Sequence, residues 1–176
     1  MPLPLFQQLL GPAFTELPPM VRALHSIRGQ GHYAGRTRIE RGTHPLANLC
    51  ATIAGLPHSA QDVATIVVFE IGNRGETWRR DFGGSAMVSR LRAHDGQLGE
   101  RLGPMQFRFA LEVRDGAIHW RTAGVRLLGV LPLPAAWFAD VRCREREQAG
   151  RYEFLVEAAM PWIGRLIRYE GWLEPA

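Results

Sequence analysis

From Val63 to the C-terminus, apolar and polar positions alternate with a period of two, broken at short intervals by Gly, Asp or Pro. This is the signature of short antiparallel strands joined by tight turns. The cleanest stretch is MQFRFALEV. Met105, Phe107, Phe109, Leu111 and Val113 share one face, and Gln106, Arg108, Ala110 and Glu112 share the other. Asp115-Gly116 is a favoured type I′ pair, and Ala117 to Thr122 returns with Ile118 and Trp120 set against His119 and Arg121. Upstream, VATIVVFEI is apolar on both faces and rich in β-branched residues, which predicts a central strand. The turn Gly72-Asn73-Arg74-Gly75 leads into GETWRRDF. Ser85 to Ala93 and Gln97 to Leu102 follow as strands, separated by Asp95-Gly96 and closed by Gly103-Pro104. Three further strands are predicted at Asp140 to Glu147, Arg151 to Ala159 and Arg165 to Leu173. The Pro-rich LLGVLPLPAAWF between is read as an irregular connection.

The N-terminal part is different. Leu5 to Leu10 form a short apolar turn. Pro18-Pro19 opens a helix in which Met20, Val21, Leu24 and Ile27 recur at helical spacing, ended by Gly29 and Gly31. Tyr33, Gly35, Thr37 and Ile39 alternate with Ala34, Arg36, Arg38 and Glu40, predicting a half-buried strand. A second helix is predicted from Pro45 to Ala54, with Leu46, Leu49, Cys50 and Ile53 as its apolar face, stopped by Gly55 and Pro57.

About nine strands in meander order, with short turns and no helical crossovers, predict a mainly β (α+β) fold. The expected architecture is a strongly curved antiparallel sheet forming a barrel or half-barrel, capped or plugged by the short N-terminal helices. Without repeats or linkers, residues 1–176 are expected to form one domain.

Composition narrows the chemistry by exclusion. All 21 basic residues are arginine, so a Schiff-base or P-loop lysine is ruled out. The net charge is +4, but acids are interleaved with the arginines, and a nucleic-acid role is not expected. Arg142, Arg144 and Arg146 alternate with Cys143, Glu145 and Glu147, the arrangement of a solvated edge strand. Cys50 and Cys143 lack C-x-x-C partners, and the N-terminus lacks the basic and apolar regions of a signal or membrane span, so a cytoplasmic protein is expected. The six histidines show no metal-ligand spacing and read as surface or turn residues. None of the serines lies in G-x-S-x-G, and no dinucleotide-binding glycine motif occurs. No metal or cofactor is expected.

Two mixed faces remain. In GETWRRDF, alternation puts Glu76, Trp78, Arg80 and Phe82 on one face. Turned inward, that face places an arginine and a carboxylate between aromatics, the form of a small-molecule site with few polar anchors. In the last strand, Arg168, Glu170 and Trp172 share one face, while Ile167, Tyr169 and Leu173 share the other. Arg80, Glu145 and Arg168 are candidates for one polar cluster.

The blocks LPPMVRALH, GETWRRDFGG and RYEFLVEAAMPWIGRLIRYEGWL, in this order and spacing, resemble the bacterial family catalogued as domain of unknown function 4166, over about Leu17 to Pro175. The family-like positions are Glu76, Trp78, Arg80 and Phe82, then Pro161, Gly164, Arg168, Tyr169, Gly171 and Trp172. The resemblance implies no activity. It implies a domain that occurs alone or at the C-terminus of saccharopine dehydrogenase-like NAD(P)-binding proteins. The leading expectation is a small-molecule-binding module for an amphipathic or acidic metabolite, with Glu76, Trp78, Arg80, Phe82, Glu145, Arg168 and Trp172 as candidate ligand-binding residues. The alternatives are an accessory domain docking onto a separately encoded oxidoreductase, and a metal-free isomerase or lyase with Glu76 or Glu145 as base and an arginine anchor.

Overall fold

The fold is taken from a computed structural model of the chain, which describes residues 3–176. Eleven strands are formed: β1 (Gln30–Arg41), β2 (Ala60–Gly72), β3 (Gly75–Phe82), β4 (Ser85–His94), β5 (Gln97–Leu102), β6 (Met105–Arg114), β7 (Ala117–Leu127), β8 (Leu131–Leu133), β9 (Arg142–Gln148), β10 (Arg151–Met160) and β11 (Gly164–Pro175). All pairings are antiparallel. The order runs β6-β5-β4-β3-β2-β1-β11-β10-β9-β7-β8, and β6 also pairs with β7, so ten strands close into a barrel. The turns act as expected locally. Asp115 and Gly116 have φ of 52° and 69°, the left-handed pair that a type I′ hairpin requires.

Closure depends on two seams that join distant segments. β1 pairs with β11 from Tyr33↔Pro175 to Arg41↔Ile167. The strands approach closely: a Cβ added at Gly35 would lie 1.8 Å from the Trp172 carbonyl oxygen. The second seam joins β7 to β9, but only from Ile118↔Glu145 to Arg121↔Arg142. Beyond that point the same edge of β7 is taken by the short β8, at Val125↔Leu133 to Leu127↔Leu131. The wall therefore parts there, and the gap is filled by a 3₁₀ turn, Ala135–Phe138. The expected irregular connection thus contains a strand, kept short by Pro132 and Pro134, which cannot donate to a ladder.

The two barrel ends differ. One is closed by helix α1 (Leu5–Leu10), a 3₁₀ turn (Gly11–Glu16) and helix α2 (Pro19–Leu24). Their Leu5, Phe6, Phe14, Leu17, Val21 and Leu24 are buried in the main core with Trp78, Phe109 and Trp120. The N-terminal helices thus plug the barrel as expected, although α2 stops at Leu24 and Ile27 lies beyond it. The other end carries helix α3 (Pro45–Ile53). Here the sequence expectation is overturned. α3 docks through Ala47 and Ala51, both fully buried, while Leu46, Leu49 and Ile53 are more than half exposed. The helix is fastened on its small-residue side: Asn48 donates to the Gly42 carbonyl at 3.0 Å, and the Ala47 methyl lies beside Gly42, which leaves the larger residues facing away.

β9 is a second correction. It is not an edge strand, because it pairs with β10 along Arg142 to Gln148 as well as with β7. Its glutamate and cysteine face turns inward, and its arginines turn out.

Candidate functional site

β3 is flanked by β2 and β4 over its whole length, so its alternation is converted directly into inward and outward positions. Glu76, Trp78 and Phe82 are buried, and the Arg80 side chain is 13% exposed. The four lie in series along the barrel axis. Glu76 is nearest the plug, where its carboxylate accepts the Trp78 indole N–H at 2.8 Å. Burial pushes the Glu76 carboxyl above its ordinary range, an effect only partly offset by that hydrogen bond and by the charge of His25. Phe82 is nearest the other end, edge-on to Tyr169 at 5.7 Å.

Arg80 lies between these ends. Its Nη1 donates to the fully buried Ser89 Oγ at 2.8 Å, its Nη2 is 4.0 Å from a Glu100 carboxylate oxygen, and its guanidinium lies 5.0 Å from the Trp78 ring centre. Beside it, burial raises the Cys143 thiol and the Tyr169 hydroxyl well above their ordinary values, so both stay protonated at neutral pH.

A cavity of about 310 Å³ opens around this group. Its walls are mainly apolar and aromatic, among them Phe69, Phe107, Phe109 and Phe154, and its polar lining includes Arg80, Glu100 and Glu145. The plug seals one end. Toward the other, the lining includes Ile53 of α3 and Trp137 of the 3₁₀ turn, both exposed, which marks the mouth beside the parted β7–β9 seam.

Glu145 sits at the plug boundary, where it bonds His25 Nε2 at 2.5 Å. Burial and the neighbouring Glu145 charge push the Tyr152 hydroxyl well above its ordinary value, and Phe6 stacks on the His25 ring at 3.7 Å. One residue pair further along β9, Glu147 accepts the Met20 backbone N–H at 2.8 Å. The inner acids of β9 therefore fasten the plug. His25 is not a surface or turn histidine but is 3% exposed, and its Nδ1 has no hydrogen-bond partner among the described residues.

The profile of the family described as "Domain of unknown function (DUF4166)" matches residues 17–173. The chain belongs to the DUF4166 family. Among proteins with curated descriptions, none matches it. Among solved structures, the DUF4166 chain is similar to the crystal structure of Rv2717c from M. tuberculosis, at 15% identity and a TM-score of 0.48, covering 91% of this chain and 99% of that one.

Of the residues singled out in the DUF4166 sequence, Trp78, Arg80, Phe82 and Glu145 line the cavity. Glu76 is behind Trp78, under the plug, and outside the cavity lining. Arg168 and Trp172 project from the outer face of β11. Arg168 donates to Glu170 at 2.9 Å, and Arg151 lies over the Trp172 ring at 4.2 Å. The cluster of Arg80, Glu145 and Arg168 does not form, because Arg168 has the outward parity while Ile167 and Tyr169 have the inward one.

Two wall residues of this DUF4166 site were overlooked, although a signal exists for both. Ser89 stands between Met87 and Leu91, and Glu100 between Leu98 and Leu102, each a lone polar side chain on an apolar phase. Polar residues at inward parity need partners inside the barrel, and here the partner is Arg80. Among the described residues, no group of three His, Cys, Asp or Glu side chains is placed to hold a metal ion.

Proposed function

We propose that this DUF4166 chain holds a small amphipathic molecule in the barrel cavity, apolar tail among the aromatic walls and an acceptor-bearing head, such as a carboxylate, on Arg80. One observation carries the reading: Arg80 is largely withdrawn from water, yet it makes one hydrogen bond of ordinary length, to Ser89, with its nearest carboxylate at 4.0 Å. An arginine in apolar surroundings with donors to spare is costly, and a ligand acceptor removes that cost. The volume falls in the range of small-molecule sites, about 300–1,000 Å³. A lined interior rather than a filled one favours holding over docking alone.

The carboxylate-base reading has less support. Glu76, the acid with a raised pKa, faces the plug, and Glu145 is engaged by His25. A base has to reach the substrate proton within hydrogen-bonding distance.

Native mass spectrometry of the purified chain, paired with a denaturing spectrum of the same sample, tests the proposal. A stoichiometric co-purifying compound with an acidic or carbonyl head is expected. A protein that stays apo, and takes up none of a panel of fatty carboxylates, would overturn it.

A further inference from the structure

The interleaving of acids and arginines along the sequence does not carry over to one wall of the barrel. On the outer face of β4 to β7 the ladder sets Arg90 opposite Arg101, Arg101 opposite Gln106, and Gln106 opposite Arg126. The next outward row runs Arg92, Gly99, Arg108 and Gly124. Five arginines thus share a patch of about 15 by 7 Å, given about 5 Å between strands and about 7 Å between alternate residues. None of the five makes an ion pair or a side-chain hydrogen bond among the described residues. Outward acids around the patch are distant or engaged. Glu70, two strands from Arg90, accepts from Arg79 at 2.9 Å, Asp95 lies 3.1 Å from His94, and Glu112 is four residues beyond Arg108 on β6. Of the 21 arginines, the sixteen outside this wall are outnumbered by the 17 acids, so the wall carries the whole positive excess of the chain.

Folding does not account for the arrangement. Like charges directly opposite in a ladder destabilise a sheet, and Arg90 faces Arg101. Glycines keep the wall open between the cations. The Arg108 guanidinium lies across Gly124, where an added Cβ would meet Nη2 at 3.2 Å. Two adjoining grooves of about 770 and 190 Å³ result, sharing Arg92, Gly99, Gln106 and Gly129. Arg74, Arg90 and Arg101 line the larger, and Arg108, Arg126 and His94 the smaller. The one acid along them, Glu76, turns its carboxylate into the barrel toward Trp78.

We propose that this wall binds a ligand bearing clustered phosphates, at a site separate from the barrel cavity, which none of the five arginines lines. Guanidinium forks match phosphate oxygens in pairs. Balancing five cations in so small an area takes several negative charges close together, and a terminal phosphate brings about −1.5 to −2 with three acceptor oxygens. A nucleic acid fits less well. The two rows carry no aromatic side chain on which bases stack, and the patch is short for an extended backbone track.

The test is isothermal titration calorimetry of the full chain with inorganic tripolyphosphate at about 0.15 M salt, where charges more than about 8 Å apart are largely screened. One-to-one binding is expected, weakened about tenfold or more in the double variant Arg101→Gln/Arg126→Gln. The pair Arg151→Gln/Arg165→Gln removes the same charge from the opposite wall and should bind within about twofold of the parent. Both double variants should keep decanoate uptake. Without ligand, Arg101→Gln/Arg126→Gln should melt at or above the parent's temperature, because Arg90 no longer faces a like charge. Flotation with phosphatidylcholine vesicles doped with a phosphatidylinositol bisphosphate separates the sources. Calorimetric binding alone assigns a soluble phosphate, flotation alone a lipid headgroup, and both together the shared chemistry. The inference is overturned if the parent does neither, if the two double variants lose equally, or if Arg101→Gln/Arg126→Gln melts below the parent. It is equally overturned if butanetetracarboxylate or a glutamate-rich peptide binds as tightly as tripolyphosphate, which would make the wall a carboxylate or protein surface.

Discussion

Truncating Phe6 to alanine tests whether the N-terminal plug is part of the barrel's core or a detachable cap. Phe6 has 0% exposure and stacks 3.7 Å from His25, with the Trp78 and Trp120 rings at 5.8 and 5.7 Å. Deleting a buried phenyl ring costs about 3–5 kcal/mol through lost burial and the cavity left behind. Aromatic contacts push the value up by about 0.5–1.5 kcal/mol. Water entering the hole pulls it down, since it offers His25 Nδ1 the partner it lacks. The expected loss is about 4 kcal/mol, which for a chain of this size lowers Tm by about 8–16 °C, at about 2–4 °C per kcal/mol. Urea and thermal unfolding followed by circular dichroism give the stability. Tryptophan emission reports whether Trp78 and Trp120 become wet, and should shift to the red in the native state. A loss below about 1 kcal/mol with unshifted emission would show that the plug is not cooperative with the barrel, and would refute the packing described above.

Replacing Arg80 with methionine should weaken decanoate binding by about 10- to 150-fold, the equivalent of one charge-assisted hydrogen-bonded contact at about 1.5–3 kcal/mol. It should leave 1-decanol binding nearly unchanged; equal loss for both compounds, read by tryptophan fluorescence titration, would mean that Arg80 shapes the cavity rather than holding a head group. Glu76 has a folded-state pKa raised by burial, so the folded chain binds its proton more tightly than the unfolded one. Its contribution to stability therefore falls as pH rises from the ordinary glutamate range through the raised value. Glu76→Gln should accordingly gain on the parent as pH rises through that window, measured as the difference in Tm; a difference independent of pH would contradict it. Gly35→Ala should abolish or severely impair folding, because the added methyl would meet the Trp172 carbonyl at 1.8 Å and force β1 from β11. A melting curve within a few degrees of the parent's, about 1 kcal/mol or less, would show that the seam tolerates separation.

The sequence by itself determined what period and turn chemistry control. Alternation located the main strands and, on β6, sorted inward from outward residues, because there a bulky apolar set faces a polar one. Asp95-Gly96 and Asp115-Gly116 located hairpins through the positive φ that few other pairs adopt cheaply. On β3 alternation grouped Trp78, Arg80 and Phe82 on one face, but that face mixes charges with aromatics, and its inward direction came only with the closed barrel. Tertiary structure decided what local pattern leaves undetermined. On β9 both faces are charged, so alternation carried no sign, and only the inward partners His25 and the Met20 amide drew the acids in. His25 and Glu145 are 120 residues apart, and nothing near either one anticipates the pair. α3 has an apolar face by composition, yet it docks through Ala47 and Ala51, with Asn48 held by the Gly42 carbonyl, and leaves Leu49 and Ile53 more than half exposed. The seams β1–β11 and β7–β9 depend on strand ends meeting after the sheet has curved through its full turn. That curvature belongs to the whole sheet, and it is what encloses the cavity, places Arg80 inside it and leaves Arg168 on the outer wall.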